Sequence, residues 1–183
     1  MRSHTARSKR QHGFTLIEGL ITVAVSVILA TNAVPSMARW LDQQRLQGAA
    51  QQLLGDLQFI RSEAVARQQG LRLTVLPWAG GSCYVLHSGN ANACTCGPVE
   101  NTPAVCSGGA TEVKTVRWTA QDKAALQSSA NSLRFDPWDG TSTPTATLNI
   151  SNPQGQQLRH VVNVMGRVRT CSPGGSVPGH VPC

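Results

Sequence analysis

One acidic residue interrupts a long apolar run near the N-terminus of this chain. Residues 14–34 contain a single charged side chain, that of Glu18. As an α-helix, this run would extend about 31 Å, at 1.5 Å per residue, which is the thickness of a bilayer's hydrocarbon core. An ionised carboxylate inside a bilayer costs at least a few kcal/mol, so Glu18 needs a partner there. The run therefore predicts a membrane-spanning helix with a functional charge.

A short basic segment precedes the apolar run. Residues 1–13 contain four basic side chains and no acid. An ordinary secretory signal would be cleaved after the apolar region, at a small residue such as Ala30, and this alternative stays open. The order G-F-T-L-I-E at residues 13–18 favours cleavage on the other side of the run.

These six residues resemble the type III signal of type IV pilins and type II secretion pseudopilins. The resemblance implies that a prepilin peptidase cleaves between Gly13 and Phe14 and that Phe14 becomes N-methylated. It also implies a pilin fold, other major and minor pilins as partners, and a single-pass anchor in the bacterial inner membrane. Electrostatics agrees, because Glu18 of one subunit can neutralise the free amine of Phe14 on a neighbour during assembly.

The chain divides into a leader, an anchor and one folded domain. We predict a leader at 1–13, a transmembrane and assembly helix at 14–35, an amphipathic helix at 36–70 and a β-rich domain at 71–183, with 36–183 as the soluble part. In 36–70, apolar residues recur every three or four positions from Met37 to Ala64, with an irregular step across 45–48. The polar residues between them, including Asp56, are expected on a solvated face, and Gly70 is expected to end the helix.

Short β-rich runs follow residue 70. Strands are predicted at 71–76, 83–86, 113–118, 132–135, 145–150 and 158–170, and 88–112 reads as a long loop. The turn sequence N-P-Q-G at 152–155 predicts that the last two strands form a hairpin. One N-terminal helix packed on an antiparallel sheet is an α+β fold, and the pilin resemblance implies the same architecture.

Six cysteines follow the apolar run: Cys83, Cys94, Cys96, Cys106, Cys171 and Cys183. Basic flanks stay cytoplasmic, so the remainder of the chain is expected in the oxidising periplasm, where an even number of cysteines predicts disulfides. A bridge from Cys171 to Cys183 would restrain the proline- and glycine-rich tail. Zinc binding by the other four is the alternative, but the C-x-C spacing and the compartment disfavour it. We predict no metal and no cofactor.

Positive charge is concentrated at the C-terminal end. The formal net charge of +7 falls to +3 without the four basic residues of the leader, and 140–183 contain three arginines and no acid. If 158–170 is one strand, Val162, Val164, Gly166 and Val168 face the core, while Arg159, Arg167 and Arg169 face outward. Arginines about 6–7 Å apart on one face suit adjacent phosphates. The alternative is that Arg167 and Arg169 solubilise an edge, or pair with Glu112, Asp136 or Asp139.

The run N-V-M-G-R-V-R at 163–169 resembles the G-R-x-R ending of the FimT branch of the GspH/FimT minor pilins. FimT members are associated with DNA capture in natural transformation, so the resemblance implies that Gly166, Arg167 and Arg169 contact DNA. Arg159 is added as a candidate from the same strand face. The predicted function is a minor type IV pilin that binds DNA phosphates without sequence preference. The alternative is a structural minor pilin or type II secretion pseudopilin that primes filament assembly.

Catalytic motifs are missing from the sequence, so we predict no enzyme. His87, His160 and His180 have no acid or serine at a catalytic spacing. Aromatic residues are few, and Trp78, Trp118 and Trp138 are expected in the core or at its rim. Base stacking is therefore not expected to be the main mode of DNA binding.

Overall fold

The structure is a computed structural model that describes residues 15–100 and 102–183, without the side chains at positions 32, 33 and 35. The predicted cleavage and methylation site at Gly13 and Phe14 lies outside the described residues. One helix, α1, runs from Leu16 to Ala66. The described chain forms two compact units, one ending at Trp40 and the other comprising Leu41–Cys183.

The first unit consists of the N-terminal part of α1. The Glu18 amide donates a hydrogen bond to the Thr15 hydroxyl, 3.4 Å away, as an N-terminal cap does. The large apolar side chains of this unit are exposed, among them Leu16, Leu20 and Ile28. By length and composition, α1 can cross a membrane, which agrees with the predicted anchor.

The second unit begins with the C-terminal part of α1, which buries an apolar stripe. Leu53, Leu57 and Ile60 lie in the core as the periodicity predicts. Leu46 is also fully buried, although it falls in the step where the pattern was irregular. Leu41, which the pattern placed on the stripe, is 42% exposed.

Two expectations for α1 are wrong. Asp56 is buried rather than solvated, because Tyr84 donates a hydrogen bond to its carboxylate at 2.8 Å and Lys114 pairs with it at 2.6 Å. Burial and the Asp56 charge raise the pKa of Tyr84 well above its usual value. The helix ends at Ala66 through Gln68, which adopts a left-handed φ of 51°, so Gly70 is not the residue that stops it.

A five-stranded antiparallel sheet contains β1 (Leu71–Trp78), β2 (Gly81–Ser88), β5 (Glu112–Thr119), β7 (Ser132–Phe135) and β8 (Ser142–Thr143). Its strand order is β5-β2-β1-β7-β8. The interior strand β2 is buried on both faces. Tyr84 and Leu86 join the main core, and Cys83 and Val85 join a second cluster.

A four-stranded antiparallel sheet contains β6 (Ala125–Ser128), β9 (Ala146–Ser151), β10 (Gln157–Val162) and β11 (Val168–Cys171). Its strand order is β11-β10-β9-β6. β9 and β10 form the predicted hairpin across 152–155. Leu148, Ile150, Leu158 and Val162 from this sheet pack in the same core as α1.

The predicted long loop at 88–112 contains a two-residue ladder of β3 (Cys94–Thr95) and β4 (Val105–Cys106). Disulfides link Cys83 to Cys96 and Cys94 to Cys106, which settles the pairing that the sequence left open. A third disulfide links Cys171 to Cys183. No cysteine among the described residues is free, so the zinc alternative has no thiol ligands.

The prediction of a single strand at 158–170 is wrong. These residues form an antiparallel hairpin in which Val162 lies opposite Val168 and Val161 lies opposite Arg169. The chain reverses at 163–166, so the alternation breaks there, and Val164 is 57% exposed instead of facing the core. Alternation along one strand therefore gave the wrong side for Val164.

Candidate nucleic-acid interface

A tight turn at 163–166 positions the arginine motif. The Gly166 amide donates to the Asn163 carbonyl at 2.9 Å, and the Asn163 amide donates to the Arg167 carbonyl at 3.1 Å. The Asn163 side-chain oxygen also accepts a hydrogen bond from the Arg167 amide at 2.9 Å. Asparagine is favoured in turns for this ability, and here it fixes the backbone of Arg167 directly before β11.

Gly166 serves the site through its backbone. Its φ is +68°, a left-handed conformation that glycine adopts without strain. A Cβ at this position would overlap the Gly140 carbonyl oxygen and approach the Arg61 side chain. Arg61 donates from Nε to that same carbonyl at 3.0 Å. Gly166 therefore lets the turn pack against the 136–141 loop and α1.

Arg167 and Arg169 are both exposed. Neither side chain has a hydrogen bond or an ion pair with any described residue. The three acids that might have paired with them are engaged elsewhere: Glu112 accepts from the Thr115 hydroxyl and the Ala104 amide, Asp136 faces Arg134, and Asp139 accepts from the Thr141 amide. The alternative in which an acid neutralises the two arginines does not hold among the described residues.

The outward face of the four-stranded sheet extends this positive surface. Arg159 lies opposite Cys171 and so is diagonal to Arg169, at about 7–8 Å between Cα atoms. Its Nε donates to the Asn149 side-chain oxygen at 2.7 Å, which orients the guanidinium on this face. β9, β10 and β11 contain no acidic residue. Arg159 can therefore add a third positive charge to the surface.

His160 fixes the edge strand from the buried side. Its Nε2 lies 2.9 Å from the Ala50 carbonyl of α1 and donates to it, so Nδ1 accepts from the Thr170 hydroxyl at 2.8 Å. Burial holds the pKa of His160 below its usual value, in keeping with a neutral ring. The sequence did not predict this role, because the isolated histidine had no partner at a recognisable spacing.

The C-terminal tail secures the other end of β11. The Ser172 amide donates to the Val181 carbonyl at 2.8 Å, and the Cys183 amide donates to the Ser172 carbonyl at 3.2 Å. Val177 is buried in the core beneath this tail. Together with the Cys171–Cys183 disulfide, these contacts hold the tail against the strand that carries Arg169.

An open groove of about 720 Å³ lies beside the turn, lined in part by Gln58, Arg61, Val65, Asp139 and Arg167. The described residues contain no group of three or more His, Cys, Asp or Glu side chains that could hold a metal ion. The chemical feature of this site is therefore a set of arginine side chains, Arg159, Arg167 and Arg169, on a surface with few acids.

Two family models match this chain. The model described as "Prokaryotic N-terminal methylation motif" matches residues 8–31, which include Gly13, Phe14 and Glu18. The model described as "Type II transport protein GspH" matches residues 49–166. The chain belongs to the GspH family. The match ends at Gly166, so Arg167 and Arg169 lie beyond the GspH range.

The fold agrees with this family of pilin-like proteins. A crystal structure of the type IV minor pilin FimU from Pseudomonas aeruginosa strain PAO1 is similar, with a TM-score of 0.51 and 19% sequence identity over 74% of this chain and 93% of that one. The fold is thus the α+β type IV pilin fold. No curated protein matches this GspH family member.

Membership of the GspH family and the methylation motif place the chain among pilins and pseudopilins, which are structural subunits and not enzymes. They imply processing by a prepilin peptidase and association with other pilins. The apolar α1 segment fits a membrane-anchored pilus component.

Proposed function

We propose that this GspH family member is a minor type IV pilin that binds DNA through Arg167 and Arg169 and aids DNA uptake in natural transformation. In this proposal, the mature chain begins at a methylated Phe14, and residues 36–183 face the periplasm before assembly. The observation that carries the proposal is a pair of exposed arginines that have no acidic partner among the described residues, at an edge of a sheet whose strands β9, β10 and β11 contain no acid.

The chemistry of this surface favours phosphate over base edges. Guanidinium groups bind phosphate oxygens with two parallel hydrogen bonds, and such contacts carry no sequence information. Arg159, Arg167 and Arg169 can together neutralise only a few phosphates, so binding is expected to be weak. For two to four phosphate contacts on duplex DNA, log K should fall against log salt with a slope of about −2 to −4.

The test measures DNA binding by the mature full chain in non-ionic detergent over a range of salt concentrations. Changing Arg167→Gln and Arg169→Gln together should remove most binding and reduce the magnitude of the salt slope by about 2. The free energy of unfolding should change by no more than about 0.5 kcal/mol, since both side chains are exposed.

The matched control removes two exposed arginines, Arg45 in α1 and Arg67 directly after its end. They pair with Asp42 and Glu63 of α1, so the double change to Gln lowers the net charge equally without touching the sheet face. Arg61 is unsuitable as a control because it contacts the Gly140 carbonyl beside Gly166. The proposal fails if both double variants bind alike, or if the parent chain binds no DNA at low salt.

A structural minor pilin or type II secretion pseudopilin is the second candidate. The GspH match over 49–166 favours it, because that range lies entirely before the two arginines. This candidate predicts that the chain supports filament assembly and that the change of Arg167 and Arg169 has no effect on it.

A further inference from the structure

An exposed tryptophan lies on the loop that packs against the turn of the arginine motif. Trp138 is 79% exposed, the highest exposure of any described tryptophan. Its ring makes no aromatic or cation–π contact with a described residue, and its indole N–H has no acceptor among them. A large apolar ring that the fold leaves in solvent is a candidate binding surface.

The loop that carries Trp138 is well ordered by hydrogen bonds. The Asp136 carboxylate accepts from the Trp138 amide at 2.9 Å, and the Gly140 amide donates to the Asp136 carbonyl at 3.1 Å. The Asp136 amide also donates to the Thr141 carbonyl at 2.9 Å. The indole is therefore held out from a fixed backbone, which limits the entropy lost on binding a ligand.

Hydrogen bonds join this loop to the turn that carries Arg167. The Ser142 amide donates to the Val164 carbonyl at 2.9 Å, and the Ser142 hydroxyl donates to the Asn163 carbonyl at 2.7 Å. The Gly140 carbonyl packs against Gly166. By chain geometry, the Cα atoms of Trp138 and Arg167 are at most about 17 Å apart, within reach of two to three nucleotides.

The two acids of the loop do not create a negative surface. Asp136 faces the Arg134 guanidinium at 3.8 Å. Asp139 accepts from the Thr141 amide, and this hydrogen bond, with a smaller contribution from the Arg61 charge, lowers the pKa of Asp139. Arg167 has no ion pair with a described residue, so the local charge stays positive, as an anionic polymer requires.

The turn joined to this loop also exposes apolar side chains. Val164 and Met165, at the tip of the turn, are 57% and 54% exposed. An exposed aromatic ring and an arginine on linked segments are the combination that binds single strands, because bases stack on the ring and cations bind the backbone. In a duplex, the bases are already stacked and paired, so they cannot reach such a ring.

We propose that Trp138 stacks on an unpaired base of single-stranded DNA while Arg167 binds a neighbouring phosphate, so that this site prefers single strands to duplex. This inference rests on the proposed function. It adds the ligand class, and it assigns Trp138 as a further binding residue.

The test compares a (dT)20 oligonucleotide with a duplex of equal length, using the mature full chain in non-ionic detergent. Binding of (dT)20 should quench tryptophan fluorescence, and Trp138→Leu should remove most of that quenching. The same change should weaken (dT)20 binding at least fivefold, or by about 1 kcal/mol, and duplex binding less than twofold. Trp138→Phe, which keeps an aromatic face, should retain part of the single-strand preference.

Trp40→Leu is the matched control, because Trp40 is also exposed, at 51%, but lies on α1 in the other unit. If the parent binds both DNAs and Trp138→Leu changes neither affinity, the stacking inference is wrong while the arginine proposal survives. If Trp138→Leu leaves DNA binding intact and instead removes a crosslink to a neighbouring pilin, the indole is a subunit contact. If the parent binds neither DNA, both proposals fail together.

Discussion

Gly166 acts in the motif through the space it leaves empty. Gly166→Ala would impose a left-handed φ on an alanine and overlap the Gly140 carbonyl, so the turn must move. We expect the free energy of unfolding to fall by about 1–3 kcal/mol and DNA binding to weaken, because Arg167 moves with the turn. Chemical denaturation and a DNA titration measure the two effects.

Gly155 provides the matched control for this change. Its φ of +80° is also left-handed, but a Cβ there would meet nothing within 4 Å. Gly155→Ala should therefore cost only the backbone strain, about 1 kcal/mol, and leave DNA binding unchanged. Equal losses of stability in the two variants would mean that the contact with Gly140 is unimportant.

His160 makes the stability of the sheet depend on pH. Because burial lowers its pKa in the folded state, the unfolded chain takes up a proton first as the pH falls. The stabilisation is complete above the ordinary histidine pKa of about 6.5 and is lost as the pH falls toward the folded value. Denaturation at pH 7.5 and 5.5 should show lower stability at the lower pH.

His160→Gln should reduce this pH dependence, since glutamine does not titrate. His87 is also buried with a lowered pKa, so part of the dependence should remain. The charge of His180 contributes to the lowered pKa of His160, so His180 is left unchanged in both chains that are compared. An unaltered pH profile in His160→Gln would assign the effect to other groups.

The sequence predicted the oxidation state of the cysteines correctly, but it predicted the burial of some side chains wrongly. The sequence predicted oxidised cysteines because compartment and number decide their state. It misplaced Asp56, whose partners Tyr84 and Lys114 come from strands distant in sequence. It also put Trp138 in the core or rim, because composition favours burial of an aromatic ring and only the loop geometry exposes it.

At the scale of elements, the position of the edge strand β11 depends on the disulfide at its C-terminal end. The Cys171–Cys183 disulfide closes a loop of sequence separation 12 and should contribute about 3 kcal/mol by the chain-entropy estimate. Changing both cysteines to serine should lower stability by this amount. It should also speed amide hydrogen exchange at 168–171 and weaken DNA binding, since Arg169 lies on this strand.

The Cys94–Cys106 disulfide is a close control, because it has the same sequence separation and lies in the β3–β4 ladder. Its removal should lower stability comparably, with no effect on DNA affinity. Equal loss of DNA binding in both double variants would show that stability, and not the position of β11, controls the site.

Most strands were predictable because alternation and turn residues are local. The hairpin at 152–155 follows from its turn sequence, and the strand predicted at 132–135 coincides with β7. The prediction of one strand at 158–170 failed because a single apolar residue, Val164, continues the alternating pattern through a turn. Asn163 and Gly166, which are typical turn residues, were the sequence features that indicated this turn. β6 pairs with β9, which follows β7 and β8 in the chain, so local sequence does not reveal this pairing. β8 pairs with the preceding strand β7 through only two residues, which is too short for an alternating pattern to show.

At the scale of the whole molecule, the two units differ in whether their apolar side chains are buried within the chain. Residues 41–183 bury a shared core of α1 and two sheets. The N-terminal unit instead exposes its apolar side chains, which need lipid or other subunits to cover them. The sequence predicts a membrane anchor at 14–35, because an apolar run of this length has few alternatives.

Glu18 is the one charged residue in that apolar segment, and we expect it to act only when subunits assemble. Glu18→Ala removes a charge from a membrane helix, so insertion should be unimpaired or improved. Filament incorporation should fall at least tenfold, because the methylated amine of a neighbouring Phe14 would lose its counterion in lipid. Membrane fractionation and quantitative immunoblotting of sheared filaments measure the two steps.

Thr22→Ala is the control, since the Thr22 hydroxyl only donates to the Gly19 carbonyl of its own helix. Normal incorporation of the Glu18 variant would show that packing of α1 alone sets the register between subunits.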